Sequence, residues 1–469
     1  MTPWWAWAMF VFGINFMLWG FVGLCRLTEP VLGKARRLYR RVRRKAVPRF
    51  AVPARTTLTL PPGPGWKTVV GRSEPAWPTR EPVTIDDVAV LIPAHNESAV
   101  IGDSLAAITR LVPRANVHVV SDGSTDDTVE IAAAAGVRVM RTPRNLGKAG
   151  ALEAAIHRFD LVHRFAAVLL LDADTRIEPG YFAAALPLFD DPEVVAVAGC
   201  VRTELERGLT RMGATLVAHR QRIYSIGQRL LKYGQTWLRI NATHIVPGFA
   251  SLYRTEILPK IDINPPGLVI EDFNMTFEVY QKRLGKVAFT LRATAVTQDP
   301  DTLGDYLRQI RRWSVGLWQT VWRHRPQANL FTVMVVLMLA EQVFASLLYT
   351  LLPLVALVLA THALPVVGAW PPLTAVYGLV SAHVNWVVLA VGVLVPDYLI
   401  TCLAAAVERQ PRLLRYGLFF LPLRVADAAV FLYAVPRARF TRSSGRWRSP
   451  ARRPTRPPAP AATDMRAAG

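Results

Sequence analysis

The segment 168-VLLLDADTR-176 limits what this chain can build more than any other. Ala167 to Leu171 form an unbroken apolar run of strand length, the pattern of a strand buried on both faces of a parallel sheet. The run passes directly into Asp172-Ala173-Asp174. Two carboxylates beyond the C-terminal end of such a strand stand where open α/β sheets bind ligands. Close together in a crevice, they cannot both ionise cheaply without a counter-charge. A divalent cation carrying phosphates supplies one, since Mg²⁺ or Mn²⁺ takes one or two carboxylates together with phosphate oxygens. A solvated acidic turn is the other reading of the same tripeptide.

From Val88 onward, strands alternate with helices. Strands are expected at 88–92, 117–120, 137–140, 167–171 and 194–198, and helices at 98–111, 125–136 and 148–159. Repeated βα units predict an α/β fold with a parallel, doubly wound sheet. Residues 203–241, rich in Arg and Gln, read as helical, and 268–285 reads as a helix opened by Glu271 and Asp272. Acids at a helix start complement its dipole. The same place suits a carboxylate aimed into the crevice as a general base. Residues 306–325 carry Arg and Trp at helical spacing, the pattern of an amphipathic helix in a membrane interface.

The strand ends hold the chemistry. The first gives 93-PAHNES-98 and the second 121-SDGSTDD-127, where Asp122 can accept hydrogen bonds from a base or sugar. Helix capping accounts for the Ser, Thr and Asp residues that follow it equally well. In 144-RNLGKAGAL-152, Gly147 and Lys148 open a helix, an arrangement friendly to phosphate. Neither a P-loop nor a Gly-x-Gly-x-x-Gly fingerprint is present, which counts against a dinucleotide dehydrogenase.

The ends of the chain are different. Residues 4–25 are apolar over about a bilayer's width and carry Trp4, Trp5, Trp7 and Trp19. The positive charges follow this stretch from Arg26, so it reads as an uncleaved anchor with its N-terminus outside. A basic run at 34–45 and a Pro-rich linker at 46–84 come next. Apolar stretches recur at 331–360, 373–407 and 416–435, with Glu341, Asp397, Arg424 and Asp427 inside them. The net charge of +21 clusters beside these stretches, which favours a membrane surface over nucleic acid. Three scattered cysteines give neither a disulfide framework nor a zinc site.

Taken together, Asp122-Gly-Ser, Gly147-Lys148-Ala, Asp172-x-Asp174, Glu271-Asp272 and Gln309-x-x-Arg312-Trp313 occur in an order that resembles the inverting family 2 glycosyltransferases. The resemblance is to the membrane synthases of cellulose, chitin, hyaluronan and poly-N-acetylglucosamine, and it covers about residues 85–325. It implies a doubly wound GT-A-like cytoplasmic domain with flanking transmembrane and interfacial helices. It further implies a UDP-sugar donor, a polysaccharide or glycolipid acceptor, membrane lipid and Mg²⁺ or Mn²⁺, with no nucleic acid. His95 and Glu97 would then lie beside the nucleoside, Asp122 would bind the uracil edge and Lys148 would contact the nucleotide. Asp172 and Asp174 would hold the metal on the diphosphate, and Asp272 would deprotonate the acceptor. Gln309, Arg312 and Trp313 would clamp the diphosphate and the acceptor sugar.

Two positions depart from the pattern. Ile223 precedes Tyr224 where many processive relatives carry an acid, and Ile270 stands where many have Thr. The expected layout is an anchor at 1–25, a basic segment and linker at 26–84 and a catalytic domain at 85–305. An interface helix at 306–327, a transmembrane region at 328–436 and a basic disordered cytoplasmic tail at 437–469 complete it. The expected activity is β-linked polymer extension at the plasma membrane coupled to export, to which accessory export subunits can be added. Transfer of a single sugar to a ceramide-type or polyprenyl lipid is the nearest rival. A scaffold or transporter with a degenerate nucleotide-binding domain is the remote one.

Overall fold

The computed structural model describes residues 6, 11–29, 82–204, 208–362, 364–365, 370–443 and 452–453. The basic run 34–45, nearly all of the Pro-rich linker, and Trp4, Trp5 and Trp7 lie outside the described residues.

Strand β1 (Val88–Ala94) shows why the centre of the domain is a sheet covered on both faces. Val88, Val90 and Ile92 pack with Ile101, Leu105 and Ile108 of helix α1 (Ile101–Ile108). Ala89 and Leu91 alternate to the other face and pack with residues that follow β2 (Val117–Ser121) and β3 (Arg138–Arg141) in the chain. These are Ala151, Leu152 and Ala155 of a helix that begins at Gly147. A strand buried on both sides is apolar at every position, as β1 and β4 (Ala167–Leu171) are.

The remaining strands are β5 (Arg176–Ile177), β6 (Val194–Arg202), β7 (Ala250–Arg254) and β8 (Lys286–Val296). The spatial order is β3-β2-β1-β4-β7-β6-β8-β5. Strands β1 to β4 pair in parallel, as expected. The second half corrects the expectation of a parallel sheet: β7 runs antiparallel to both β4 and β6, and β5 antiparallel to β8. Strands β6 and β8 still pair in parallel, but β7 enters between β4 and β6 in the opposite direction, so the sheet is mixed. The reversal has a consequence at the site. Leu171 pairs with Ala250, so the turn before β7 lies at the C-terminal end of β4, and the Asp172 N–H donates to the Phe249 carbonyl at 2.9 Å.

Helix α2 (Thr128–Ala134) follows β2, and α3 (Gly147–Arg158) follows β3. The long helix expected at 203–241 is shorter: α4 spans Arg211–Ile226, and helical turns continue only to Gln235. Residues 236–249 instead form turns that feed β7. Helix α5 (Glu271–Gln281) is followed by β8 and then by α6 (Leu303–Arg323).

Between α6 and Phe440 the described residues are mostly helical and apolar. Helices α7 (Leu330–Thr361) and α8 (Trp386–Glu408) are long and apolar enough to cross a membrane. Leu347, Leu351, Leu354 and Leu357 of α7 are exposed, as residues facing lipid are. Helix α9 (Phe420–Phe440) passes the boundary expected at 436, so the first residues of the tail are helical. The ionisable groups inside these helices are partnered. Asp397 accepts from Arg222 at 3.0 Å and from Arg424 at 2.7 Å, tying α4, α8 and α9 together. Glu341 accepts from the Asn15 backbone at 2.8 Å and its side chain at 2.6 Å, fastening the N-terminal helix to α7.

Candidate functional site

The site is assembled at the C-terminal ends of β1, β2 and β4, where three polar turns meet. The β2 turn works first as a structural anchor. The Asp122 carboxylate accepts N–H donation from Leu146 at 2.7 Å and Gly147 at 2.8 Å, and from the Thr142 hydroxyl at 2.9 Å. These bonds hold the start of α3 beneath the end of β2. Gly123, at φ +62°, makes the approach feasible, because a Cβ there would lie 2.8 Å from the Asn145 nitrogen. His95 faces the same loop, with Nδ1 2.7 Å from the Asp122 carbonyl and Nε2 3.3 Å from Asn145.

With α3 fixed, Lys148 in its first turn reaches across the crevice. Its ammonium lies 2.7 Å from Asp172 and 3.0 Å from Glu271, and donates to the Gly248 carbonyl at 3.4 Å. Burial opposes its charge, but the Asp172 and Glu271 carboxylates outweigh burial and hold Lys148 protonated well above the usual lysine range. Glu271 is held down in spite of burial by Lys148, with Arg312 adding to the effect. Asp272, the next residue, is pushed up to about 6 by burial and then by the adjacent Glu271 carboxylate. It accepts from the Gly248 N–H at 3.3 Å and from the Phe273 N–H at 2.7 Å.

Asp174 turns toward a different cation. Arg452, from beyond α9, donates to Asp174 at 2.5 Å and to both oxygens of buried Glu97 at 2.8 and 3.0 Å. Its neighbour Arg453 pairs with Asp301 at 2.9 Å and exchanges two hydrogen bonds with Gln298. Of the tail expected at 437–469, residues 437–443 and 452–453 are described; 444–451 and 454–469 lie outside the described residues. Nothing in the composition of an Arg-, Pro- and Ala-rich terminus marks which arginine docks, so sequence reasoning missed Arg452. Glu271 belongs to the Glu271-Asp272 motif but has no role of its own in the sequence reading, and the structure places it against Lys148.

The residues Gln309, Arg312 and Trp313 are carried on α6. The side chain of Gly316 is absent where α6 crosses Ile270: a Cβ would lie 2.8 Å from Ile270 Cβ. This close crossing sets α6 against the start of α5, where Glu271 and Asp272 sit. Gln319 strengthens the crossing by accepting from the Val269 N–H at 2.9 Å. Arg312 is exposed, whereas Gln309 and Trp313 are half-buried and turn toward Arg220 of α4 rather than the carboxylates.

Thus Glu97, Lys148, Asp172, Asp174 and Asp272 share one cluster, with His95 and Asp122 on its flank and the α6 residues along a separate wall. Among the described residues, no three His, Cys, Asp or Glu side chains converge as a ready-made metal cage. The donor set nonetheless fits a hard cation. Five carboxylates (Glu97, Asp172, Asp174, Glu271 and Asp272) face Lys148 and Arg452, with Arg312 acting on Glu271 as a third cation, leaving negative charge in surplus. Mg²⁺ and Mn²⁺ are satisfied by one or two such oxygens when phosphate and water complete the shell.

Residues 86–316 match the family described as "Glycosyltransferase like family 2". A glycosyltransferase of Escherichia coli K12, YaiP, is 28% identical over 239 residues, covering 49% of this chain and 56% of its own length. Poly-beta-1,6-N-acetyl-D-glucosamine synthase of Staphylococcus epidermidis is 23% identical over 241 residues, 50% of this chain and 55% of that protein. The chain therefore spans little more than half the length of these relatives. Among solved structures, the mannosyltransferase PcManGT from Pyrobaculum calidifontis, in complex with GDP-Man and Mn²⁺, covers 88% of this chain and 99% of its own at 16% identity and a TM-score of 0.46. The turns that gather Lys148, Asp172, Asp174 and Asp272 all fall inside the matched span, and this chain carries a family 2 glycosyltransferase domain.

Proposed function

We propose that the chain is a membrane-bound, inverting glycosyltransferase that moves a sugar from a UDP-sugar onto a growing β-linked polysaccharide. The observation that carries this reading is Asp272. It is a half-buried carboxylate at a helix start, pushed up to about 6, within one crevice of a lysine and the Asp172/Asp174 pair. A general base works best with a pKa near the operating pH.

In the reaction the acceptor hydroxyl oxygen attacks the anomeric carbon of the donor. The bond from that carbon to the diphosphate oxygen breaks, the hydroxyl proton passes to Asp272, and the electron pair leaves with the diphosphate. A single base and no covalent nucleophile gives inversion, hence a β-linkage from an α-linked donor. Lys148 and Arg312 supply positive charge for the leaving group, Arg312 through a fork suited to phosphate oxygens. Asp172 and Asp174 would hold Mg²⁺ or Mn²⁺, which neutralises diphosphate charge when bound. Asp122 contributes by fixing the loop that carries Lys148, and His95 and Glu97 border the nucleoside side.

The poly-N-acetylglucosamine synthase relative supports a polymer product and UDP-N-acetylglucosamine as the first donor to test. Helices α7 and α8 support placement in a membrane, with the site on the cytoplasmic side of the plasma membrane where nucleotide sugars are supplied. Export of the product through the membrane helices is the further step that this reading proposes. The test is incubation of detergent-solubilised full chain with a panel of UDP-sugars and Mn²⁺, followed by product sizing. A polymer ladder is expected. A single-sugar lipid would replace the polymer reading with lipid glycosylation, and no turnover of any UDP-sugar would overturn both.

A further inference from the structure

A second buried arginine has no part in the donor chemistry above. Arg220 lies on α4 and is 1% exposed. Its Nη2 donates to Gln309 Oε1. Its guanidinium stacks 4.2 Å from the Trp313 ring centre, with Tyr306 at 5.2 Å and Tyr224 at 5.5 Å. These contacts among the described residues are π faces and an amide oxygen, and the buried Nε has no hydrogen-bond partner there. Burying a guanidinium is costly, and the nearby Asp299 and Asp427 carboxylates relieve part of that cost. Planar stacking on a desolvated aromatic face offsets part of the cost. The surroundings hold Arg220 firmly. Beside it on α4, His219 meets Asp427 at 3.2 Å, and Asp427 also accepts from the Tyr306 hydroxyl at 2.7 Å, locking α4, α6 and α9 together.

We infer that Arg220 is a positioning residue that builds the acceptor platform, a surface for a hydroxylated pyranose ring, by acting through Gln309 and Trp313. Two consequences follow from the geometry. Donation to Oε1 fixes which way the Gln309 amide lies, so its NH₂ group points away from Arg220 and can donate to a sugar hydroxyl. Stacking fills one face of Trp313, so only the opposite face meets the apolar C–H face of a sugar ring. The inference rests on the proposed role of Trp313 in acceptor binding. It adds the residue that sets the orientation of the platform, at a position where the family-like motif on α6 gives no hint.

The experiment uses the full chain in detergent with UDP-N-acetylglucosamine, Mn²⁺ and a β-1,6-linked N-acetylglucosamine tetramer as acceptor. UDP affinity is measured separately by calorimetry. Arg220→Met should raise the acceptor KM about tenfold, the effect of roughly 1.4 kcal/mol, and leave UDP affinity within about twofold. Arg220→Lys, which keeps the charge but loses the planar fork, should fall between wild type and Arg220→Met. In a Trp313→Ala background, Arg220→Met should add little, because the two act as one unit. Losses that multiply, or a parallel loss of UDP affinity, would overturn the inference and leave Arg220 as a structural group. Should Arg220→Met fail to accumulate, Arg220→Lys carries the test: a raised acceptor KM at unchanged UDP affinity supports it, and wild-type behaviour overturns it. An unchanged acceptor KM in Trp313→Ala, or a wild type with no saturable response to the tetramer, would instead defeat the platform reading itself.

Discussion

The two groups of residues that we propose as the donor and acceptor walls of the crevice are built by different means. On the donor wall, each polar group sits in a turn that directly follows a parallel strand, and its neighbours are set by the turn's own backbone. Asp122 binds consecutive amides at Leu146 and Gly147, and Lys148 follows immediately on the helix they start. On the acceptor wall, Gln309 and Trp313 depend on a residue almost ninety positions earlier, on another helix. Electrostatics therefore organises the first wall locally, whereas the second depends on the packing of α4, α6 and α9. Substitutions on the donor wall should act on charge and nucleotide binding. Those on the acceptor wall should act on shape and orientation.

The largest effect should come from Asp272→Asn. Transfer should fall by at least about 10²–10⁴-fold, the usual contribution of a general base, while UDP binding measured by calorimetry stays near wild type. A variant that also loses UDP would place Asp272 on the donor wall. Lys148→Met comes next and should act differently, because it strands Asp172 and Glu271 as like charges without their shared cation. Loss of one partner from a fully buried pair costs about 3–5 kcal/mol; this half-buried cluster should lose less, visible as a modestly lower unfolding midpoint together with lost turnover. Normal stability in that variant would show that the cluster relaxes without Lys148.

The walls also differ in legibility. The parallel strands β1 to β4 and their end residues were readable because burial on both faces leaves continuous apolar runs, and polar turns interrupt them. The antiparallel entry of β7 was not readable, because its partner choice depends on where α4 returns the chain to the sheet. Arg220 was hidden for a related reason. It sits in a stretch dense with Arg and Gln, and a helix packed against α8 and α9 on one side and α6 on the other has no solvated polar face to reveal it. Trp318 shows the same limit within α6: helical spacing suggested an interfacial residue, but it is 8% exposed and packs against Phe431.

The pH dependence should sharpen the contrast. Asp272 is raised to about 6, so it is protonated and useless as a base below that pH. Transfer should therefore fall as pH drops through about 6, while UDP binding falls less steeply over the same range. Parallel profiles would argue against proton transfer to Asp272. On the acceptor wall, Trp313→Ala should lower transfer markedly more than Trp322→Ala, since Trp322 is 54% exposed. Trp318 is an unsuitable comparison because its loss opens the core. Equal, mild losses at Trp313 and Trp322 would reduce α6 to an amphipathic helix. The smallest change should be a gain. Arg452→Ala frees Asp174 and Glu97 from a competing cation, and Mn²⁺ affinity should rise roughly tenfold, in keeping with the strength of one charge-assisted hydrogen bond. Weaker Mn²⁺ binding would show that Arg452 supports the site instead.

The most direct test of the donor wall is UDP binding to the purified full chain with and without Mn²⁺, in wild type and in Asp174→Asn. Wild type should bind UDP more tightly when Mn²⁺ is present, and Asp174→Asn should bind it with an affinity that Mn²⁺ hardly changes. The same Mn²⁺ enhancement in both proteins would contradict the assignment of Asp174 to the metal and, with it, the metal-assisted departure of the diphosphate.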